Sequence, residues 1–119
     1  MAPASTRIFL AAGPTDLRRG FEGLAAAVRQ VLGRDVLSGE IFLFCNRRRD
    51  RVRALYADRS GLWLATKRLE RGTFSWPQPR DDGSRSVELR PEELAALLGG
   101  LDLGDATRRR WWEARRVSA

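Results

Sequence analysis

Apolar residues along this chain gather into short runs separated by polar or glycine-containing breaks. Arg7 to Ala12 carries Ile8, Phe9 and Leu10 and stops at Gly13-Pro14, which predicts a first strand. Beyond it Leu17, Phe21, Leu24, Val28, Val31 and Leu32 recur at helical spacing. That predicts a helix capped by Thr15, with Asp16 at the positive end of its dipole and Gly33 as its stop. Gly20 and Gly23 fall inside it, and each costs up to about 1 kcal/mol relative to Ala. Two reasons could put them there: close backbone packing against the sheet, or the approach of a ligand phosphate to which Arg18 and Arg19 contribute.

Ser38-Gly39-Glu40 reads as a polar turn. After it Ile41 to Cys45, Val52 to Ala57 and Leu62 to Thr66 are short apolar runs with loops of 4 to 6 residues between them, the pattern of an antiparallel meander. Asp58, Ser60 and Gly61 supply turn chemistry in the second of these loops. Thr73 to Trp76 predicts one more short strand before Pro77-Gln78-Pro79, residues 80 to 86 a surface loop, and Val87 to Leu89 a brief edge strand. Pro91 then opens a second helix, with Glu92 and Glu93 in its first turn, Leu94, Leu97 and Leu98 on one face, and Gly99-Gly100 after it.

These elements predict an α+β fold: a small antiparallel sheet of about four or five strands, one long helix packed on a face and a second short helix at an edge. The expected core is Ile8, Leu10, Leu17, Phe21, Leu24, Val28, Leu32, Phe42, Phe44, Val52, Leu55, Leu62, Leu64, Leu94, Leu97 and Leu98. The organisation expected is a flexible start over residues 1–6, a single domain over 7–103, and a basic Trp- and Arg-rich tail over 104–119.

At 119 residues there is room for one modest core and no second domain. Composition narrows the chemistry. There is no His, which removes the commonest general base and metal ligand, and one Cys, which makes neither a structural zinc site nor an intrachain disulfide. Cys45, inside an apolar run and without a His partner, reads as a buried thiol in a reducing compartment. Met1 to Thr6 lack the basic start and apolar stretch of a secretory signal, and nowhere do about 18 apolar residues run together. A cytoplasmic protein, away from any membrane, is expected.

The net charge of +7 is made almost wholly of arginine, since Lys67 is the only lysine. Arginine's planar fork meets phosphate in two parallel hydrogen bonds and stacks on base faces, so an anionic polymer is the natural partner. The signs are segregated. Residues 41–80 hold 10 basic and 3 acidic groups, residues 81–107 hold 2 and 7, and the last twelve hold 5 and 1. A chain charged only for solubility would intersperse them more.

Three stretches suit nucleic-acid contact. Arg47, Arg48, Arg49, Arg51 and Arg53 sit on and beside one hairpin loop, where flanking strands would hold five cations along a phosphate backbone; a solvated loop is the plainer reading. Lys67, Arg68 and Arg71 follow the third meander strand, with Glu70 available as an internal partner. In the tail, Trp111 and Trp112 beside five arginines either stack on bases or fold back on the core. No catalytic constellation emerges. Asp16, Asp58, Asp81, Asp82 and Glu88 could bind Mg²⁺ in principle, but each has a local explanation as a cap or turn residue, so no enzyme activity, metal or cofactor is expected.

Several long strings also resemble a known family. Gly13-Pro14-Thr15-Asp16-Leu17-Arg18-Arg19-Gly20-Phe21-Glu22-Gly23-Leu24 comes first; Ser38-Gly39 follows, before Phe42-Leu43-Phe44-Cys45-Asn46-Arg47-Arg48-Arg49-Asp50. Lys67-Arg68-Leu69-Glu70-Arg71-Gly72 with Phe74 and Trp76-Pro77 completes the set. Over residues 7 to 102 these resemble the accessory protein TnpB, the second-reading-frame product of the insertion sequence sixty-six family of bacterial transposable elements. The resemblance implies a small non-catalytic helper, encoded beside a larger transposase and needed for efficient transposition, with no cofactor. The chain departs from that pattern at Ala57, Ala65 and Thr66, where the family usually carries aromatic residues, and in its tail.

The expected function is therefore a transposition accessory factor that binds DNA through Arg18, Arg19, Arg47, Arg48, Arg49, Arg51, Arg53, Lys67, Arg68 and Arg71. It would associate with the nucleoid when bound. Two alternatives stand beside it: an adaptor that docks on the transposase through the acidic second helix and an exposed Trp76, and an RNA-binding module that uses the Arg-rich tail.

Overall fold

The structure, a computed structural model, describes residues 6–99; the expected tail over 104–119, with Trp111 and Trp112, lies outside the described residues. Strand β1 (Ile8–Pro14) leads through helix α1 (Phe21–Leu32) and a short 3₁₀ turn (Val36–Ser38) to β2 (Ile41–Cys45). Strands β3 (Arg51–Ala57), β4 (Leu62–Arg68) and β5 (Ser86–Leu89) follow, and helix α2 (Pro91–Leu98) comes last. The strands form one sheet in the order β4-β3-β2-β1-β5.

The sheet is mixed rather than antiparallel. β1 runs parallel to β2, with Ile8 opposite Ile41 and Leu10 opposite Leu43, whereas β2–β3, β3–β4 and β1–β5 are antiparallel. A strand–helix–strand succession forces this, because α1 carries the chain back to the end from which it started. β1 is buried along its length except at Pro14, since it has a neighbour on each side and a layer on each face.

On one face Phe9, Ala11, Phe42, Phe44 and Leu55 pack against Leu17 and against Leu24, Ala27, Val28 and Leu32 of α1. On the other, Ile8, Leu10, Leu43, Cys45, Val52, Val87 and Leu89 lie with Phe74, Trp76 and Leu97. α2 crosses this second face instead of lying at an edge. It follows β5 at one margin of the sheet, while its Leu98 carbonyl accepts a hydrogen bond from Lys67 of β4 at the other. Thr73 to Trp76 is irregular and adds no strand, yet Phe74 and Trp76 are buried, and the Trp76 indole N–H donates to the Ala11 carbonyl at 2.9 Å. Trp76 is therefore a core residue with no exposed face for a partner.

The first helix is also shorter than its sequence periodicity implies. Asp16 accepts the Arg18 backbone N–H at 3.0 Å, and its carbonyl accepts from Arg19, which makes residues 16–19 a turn. Gly20, extended at ψ −158°, is the N-cap residue, so Thr15 and Asp16 do not cap the helix. Thr15 instead donates its N–H to the Cys45 carbonyl at 2.8 Å, joining the loop to the end of β2. Gly33 ends α1 in the left-handed conformation, φ 65°, its N–H reaching Arg29 and that of Arg34 reaching Val28. Close packing against the sheet, one expected reason for the helical glycines, does not hold. A Cβ at Gly20 would meet open space, and one at Gly23 would come within 2.6 Å of the Arg19 Cβ, so Gly23 makes room for the Arg19 stem.

Displacing the helix start leaves Phe21 outside the core at 45% exposure. Leu62, Leu64, Leu94 and Leu98 are half-buried. Phe44→Ala should cost about 3–5 kcal/mol in urea unfolding, as a large cavity in a closed layer does, while Phe21→Ala should cost less than about 1 kcal/mol.

Candidate functional site

The two ends of the parallel pair differ in how their cations are used. At the amino end Arg7 forks onto Glu88 with both contacts at 2.9 Å, and Arg34 onto Glu40 with both at 2.7 Å while lying 4.0 Å over the Phe9 ring. Each guanidinium there is matched by a carboxylate.

At the carboxyl end the matching stops. A cleft of about 500 Å³ opens between the β1–α1 loop and the β2–β3 hairpin, lined by Pro14, Thr15, Asp16, Leu17, Arg18, Asn46, Arg47, Arg51 and Arg53. Arg18 forks onto Asp16 at 3.0 and 2.9 Å, and that contact together with the Arg18 backbone N–H holds the Asp16 carboxyl down at about 2. This pair is neutral as a unit. Among the described residues no carboxylate pairs with Arg47, Arg51 or Arg53. Arg53 reaches the Arg19 carbonyl through Nη1 at 3.5 Å, and its buried Nε has no hydrogen-bond partner.

The hairpin that carries these arginines is tightly built. The Asn46 side-chain oxygen accepts the N–H groups of Asp50 and Arg51 at 3.1 Å, and its amide donates to Asp50 at 2.7 Å, which lowers the Asp50 carboxyl below its ordinary value. From the segment after β4, Leu69 donates its N–H to the Asp50 carbonyl and Phe74 donates to the Arg49 carbonyl, at 2.8 and 2.6 Å. Arg49 adopts a left-handed backbone, φ 61°, to close the turn. The β1–α1 side is held equally firmly. Arg85 donates to the carbonyls of Ala12 and Pro14 and to the Thr15 hydroxyl, and Gly13, at φ 76°, gives its N–H to the Pro77 carbonyl. Burial lowers the pKa of Arg85. Sequence reading passed over this residue, whose isolated position in a polar loop gives no hint that it clasps the end of β1.

The ten expected contact residues are therefore not one patch. Arg18, Arg47, Arg51 and Arg53 share the cleft, and Arg19 stands beside it through its bond to Arg53. Arg68 faces Arg51 across the β3–β4 pair. Arg48 and Arg49 are exposed on the hairpin tip, and Arg71 is exposed in the segment after β4. Lys67 is opposite Val52, whose side chain belongs to the α2 face, and it is bound to the end of α2. It does not join the others.

The carboxylates considered for Mg²⁺ do not converge, and no group of three His, Cys, Asp or Glu among the described residues could hold a metal ion. Asp58 receives the N–H groups of Ser60 and Gly61 and the Trp63 indole N–H, which holds it at about 2. Asp82 accepts from Ser84 N–H, and Glu88 pairs with Arg7. Cys45 is buried, and burial pushes its thiol up to about 12, so it is no nucleophile at neutral pH. No helix among the described residues is long and apolar enough to cross a membrane.

Fold and cleft define a small α+β domain in which a βαβ unit and a meander meet at an arginine-lined opening. The chain belongs to the family described as IS66 Orf2 like protein, which its residues 6–108 match. That membership suggests an accessory role in transposition. Among its relatives are two from Sinorhizobium fredii (strain NBRC 101917 / NGR234). One, "Uncharacterized protein y4jC", is 46% identical over 96 residues, covering 81% of this chain and 80% of the relative. The other, "Uncharacterized protein y4hO", is 37% identical over 98 residues, covering 82% and 83%. No solved structure matches the chain.

The hairpin geometry separates charge from conformation at neighbouring positions. A left-handed backbone costs a non-glycine residue roughly 1–2 kcal/mol, so Arg49→Gly should raise stability by up to about 1 kcal/mol in urea unfolding. Arg48→Gly, where φ is negative, should lower it.

Proposed function

We propose that this protein is a non-catalytic accessory factor of insertion-sequence transposition that binds DNA through the arginines of the cleft and hairpin. The observation that carries this reading is the set of guanidinium groups at the carboxyl end of β1 and β2 with no carboxylate partner, on a hairpin held rigid by Asn46 and Asp50. Unpaired cations fixed on one side of a protein raise its energy through mutual repulsion and are stabilised when they replace the counterions of a phosphate backbone. Membership of the IS66 Orf2-like family supports the setting. Arg47, Arg48, Arg51 and Arg53 hold phosphates; Arg18, Arg19, Arg49, Arg68 and Arg71 extend the surface. Lys67, committed to α2, contributes less.

Replacing Arg47, Arg48 and Arg49 together by Ala should weaken duplex binding and flatten the dependence of log K on log salt by about one unit per lost phosphate contact. Fluorescence anisotropy against a labelled terminal inverted repeat and a scrambled duplex measures both; an unchanged slope removes the hairpin from the interface. A looped RNA that outcompetes the duplex would move the assignment to RNA.

Trp63 favours a second reading, docking on the transposase. It is 55% exposed on β4, stacked on Tyr56 with ring centroids 6.2 Å apart, and fixed by Asp58 at 2.7 Å, so it offers a rigid aromatic anchor in place of the buried Trp76. Transposase capture that persists above about 0.5 M salt, where exposed charges are screened, and is lost in Trp63→Ala would establish it.

A further inference from the structure

We infer that the cleft at the carboxyl end of β1 and β2 is a subsite for a terminal phosphate monoester of a DNA strand, distinct from the backbone contacts made by the hairpin tip. The inference rests on the DNA-binding reading and specifies which part of the DNA enters the cleft.

Size is the first constraint. About 500 Å³ falls within the range of small-ligand pockets, roughly 300–1,000 Å³, and has room for a phosphate with its sugar. A duplex is a rod whose major groove alone is about 12 Å wide; it can lie across the rim but cannot enter. A strand end can.

Charge is the second. The Arg18–Asp16 pair is neutral as a unit, which leaves Arg47, Arg51 and Arg53 as the wall's cations without a salt-bridged carboxylate among the described residues, Arg51 feeling Asp50 at longer range. An internal phosphodiester carries one negative charge, whereas a terminal monoester carries about −1.5 to −2 at pH 7 and presents three acceptor oxygens. The monoester is the better match to several guanidiniums around one opening, because each oxygen can take a charge-assisted hydrogen bond.

The third observation is the buried Arg53 Nε, a donor without an acceptor. A buried polar group left unpaired costs about 1–3 kcal/mol, and structures rarely keep one without a purpose. Arg53 lines the cleft, and because its Nε is shut off from solvent, a phosphate bound there gains that donor only by turning the side chain toward the opening.

The test uses the full chain and four labelled DNA probes of one sequence: a duplex with 5′-phosphoryl ends, one with 3′-phosphoryl ends, one with hydroxyl ends only, and a closed dumbbell without ends. Anisotropy titration at one salt concentration should show a phosphorylated duplex bound about tenfold more tightly than the hydroxyl form, equivalent to about 1.4 kcal/mol. A gain confined to one phosphorylated probe identifies which strand end enters. The preference should fall to near unity in Arg53→Gln and also in Arg47→Ala, an exposed position whose replacement leaves the core untouched. Equal binding of all four probes, or a preference that survives both substitutions, overturns the subsite and leaves duplex binding standing. Failure of every probe to bind overturns both readings.

Discussion

The structure depends on enclosing β1 from every side. Its side chains alternate between two apolar layers, its edges pair with β2 and β5, and its last peptide groups are taken by residues remote in sequence: Trp76 on the Ala11 carbonyl, Arg85 on those of Ala12 and Pro14, Pro77 on the Gly13 N–H. A buried strand tolerates no unpaired backbone polar group. Satisfying this one draws the segment from Phe74 to Arg85 across the second face, and its first residue, Phe74, also bonds to the arginine hairpin at the Arg49 carbonyl. Core and cleft are therefore coupled through the same stretch of chain.

Much of this was legible before the structure. The meander, the edge strand, the Pro91 start of α2 and most of the core follow from apolar runs with a period of two or of 3.6. What escaped has identifiable causes. The parallel pairing of β1 and β2 was implicit in the strand–helix–strand order, yet neither strand alternates, so periodicity says nothing about direction. The periodicity starts α1 too early because Leu17 falls in phase with Leu24 and Val28 although it sits in a turn held by Asp16. Trp76 reads as exposed beside Pro77-Gln78-Pro79; its burial depends on packing with Phe74, Leu97 and the second face of the sheet and on the long-range bond to Ala11. Of the candidate site, the hairpin arginines were visible as a charge run. The cleft was not, because it needs Arg18 brought beside Arg53 by the crossover.

Rigidity gives the charge run its meaning. Flexible arginines lose conformational freedom on binding, which offsets part of their electrostatic gain. Here the backbone beneath them is fixed by Asn46, Asp50, Leu69 and Phe74 before any ligand arrives. The contrast with the amino end, where Arg7 and Arg34 each have a carboxylate, shows that this chain readily pairs its arginines where its fold needs them quiet.

Among the described residues β4 forms one margin of the sheet and is seven residues long. Margins of that kind recruit other copies of themselves, and proteins discourage it with lysine and arginine on the strand. Lys67 and Arg68 occupy its last two positions. Cations at this position oppose edge-to-edge pairing, and a sequence drifting toward neutrality here would meet self-association of the sheet edge as a limit on how far it could go.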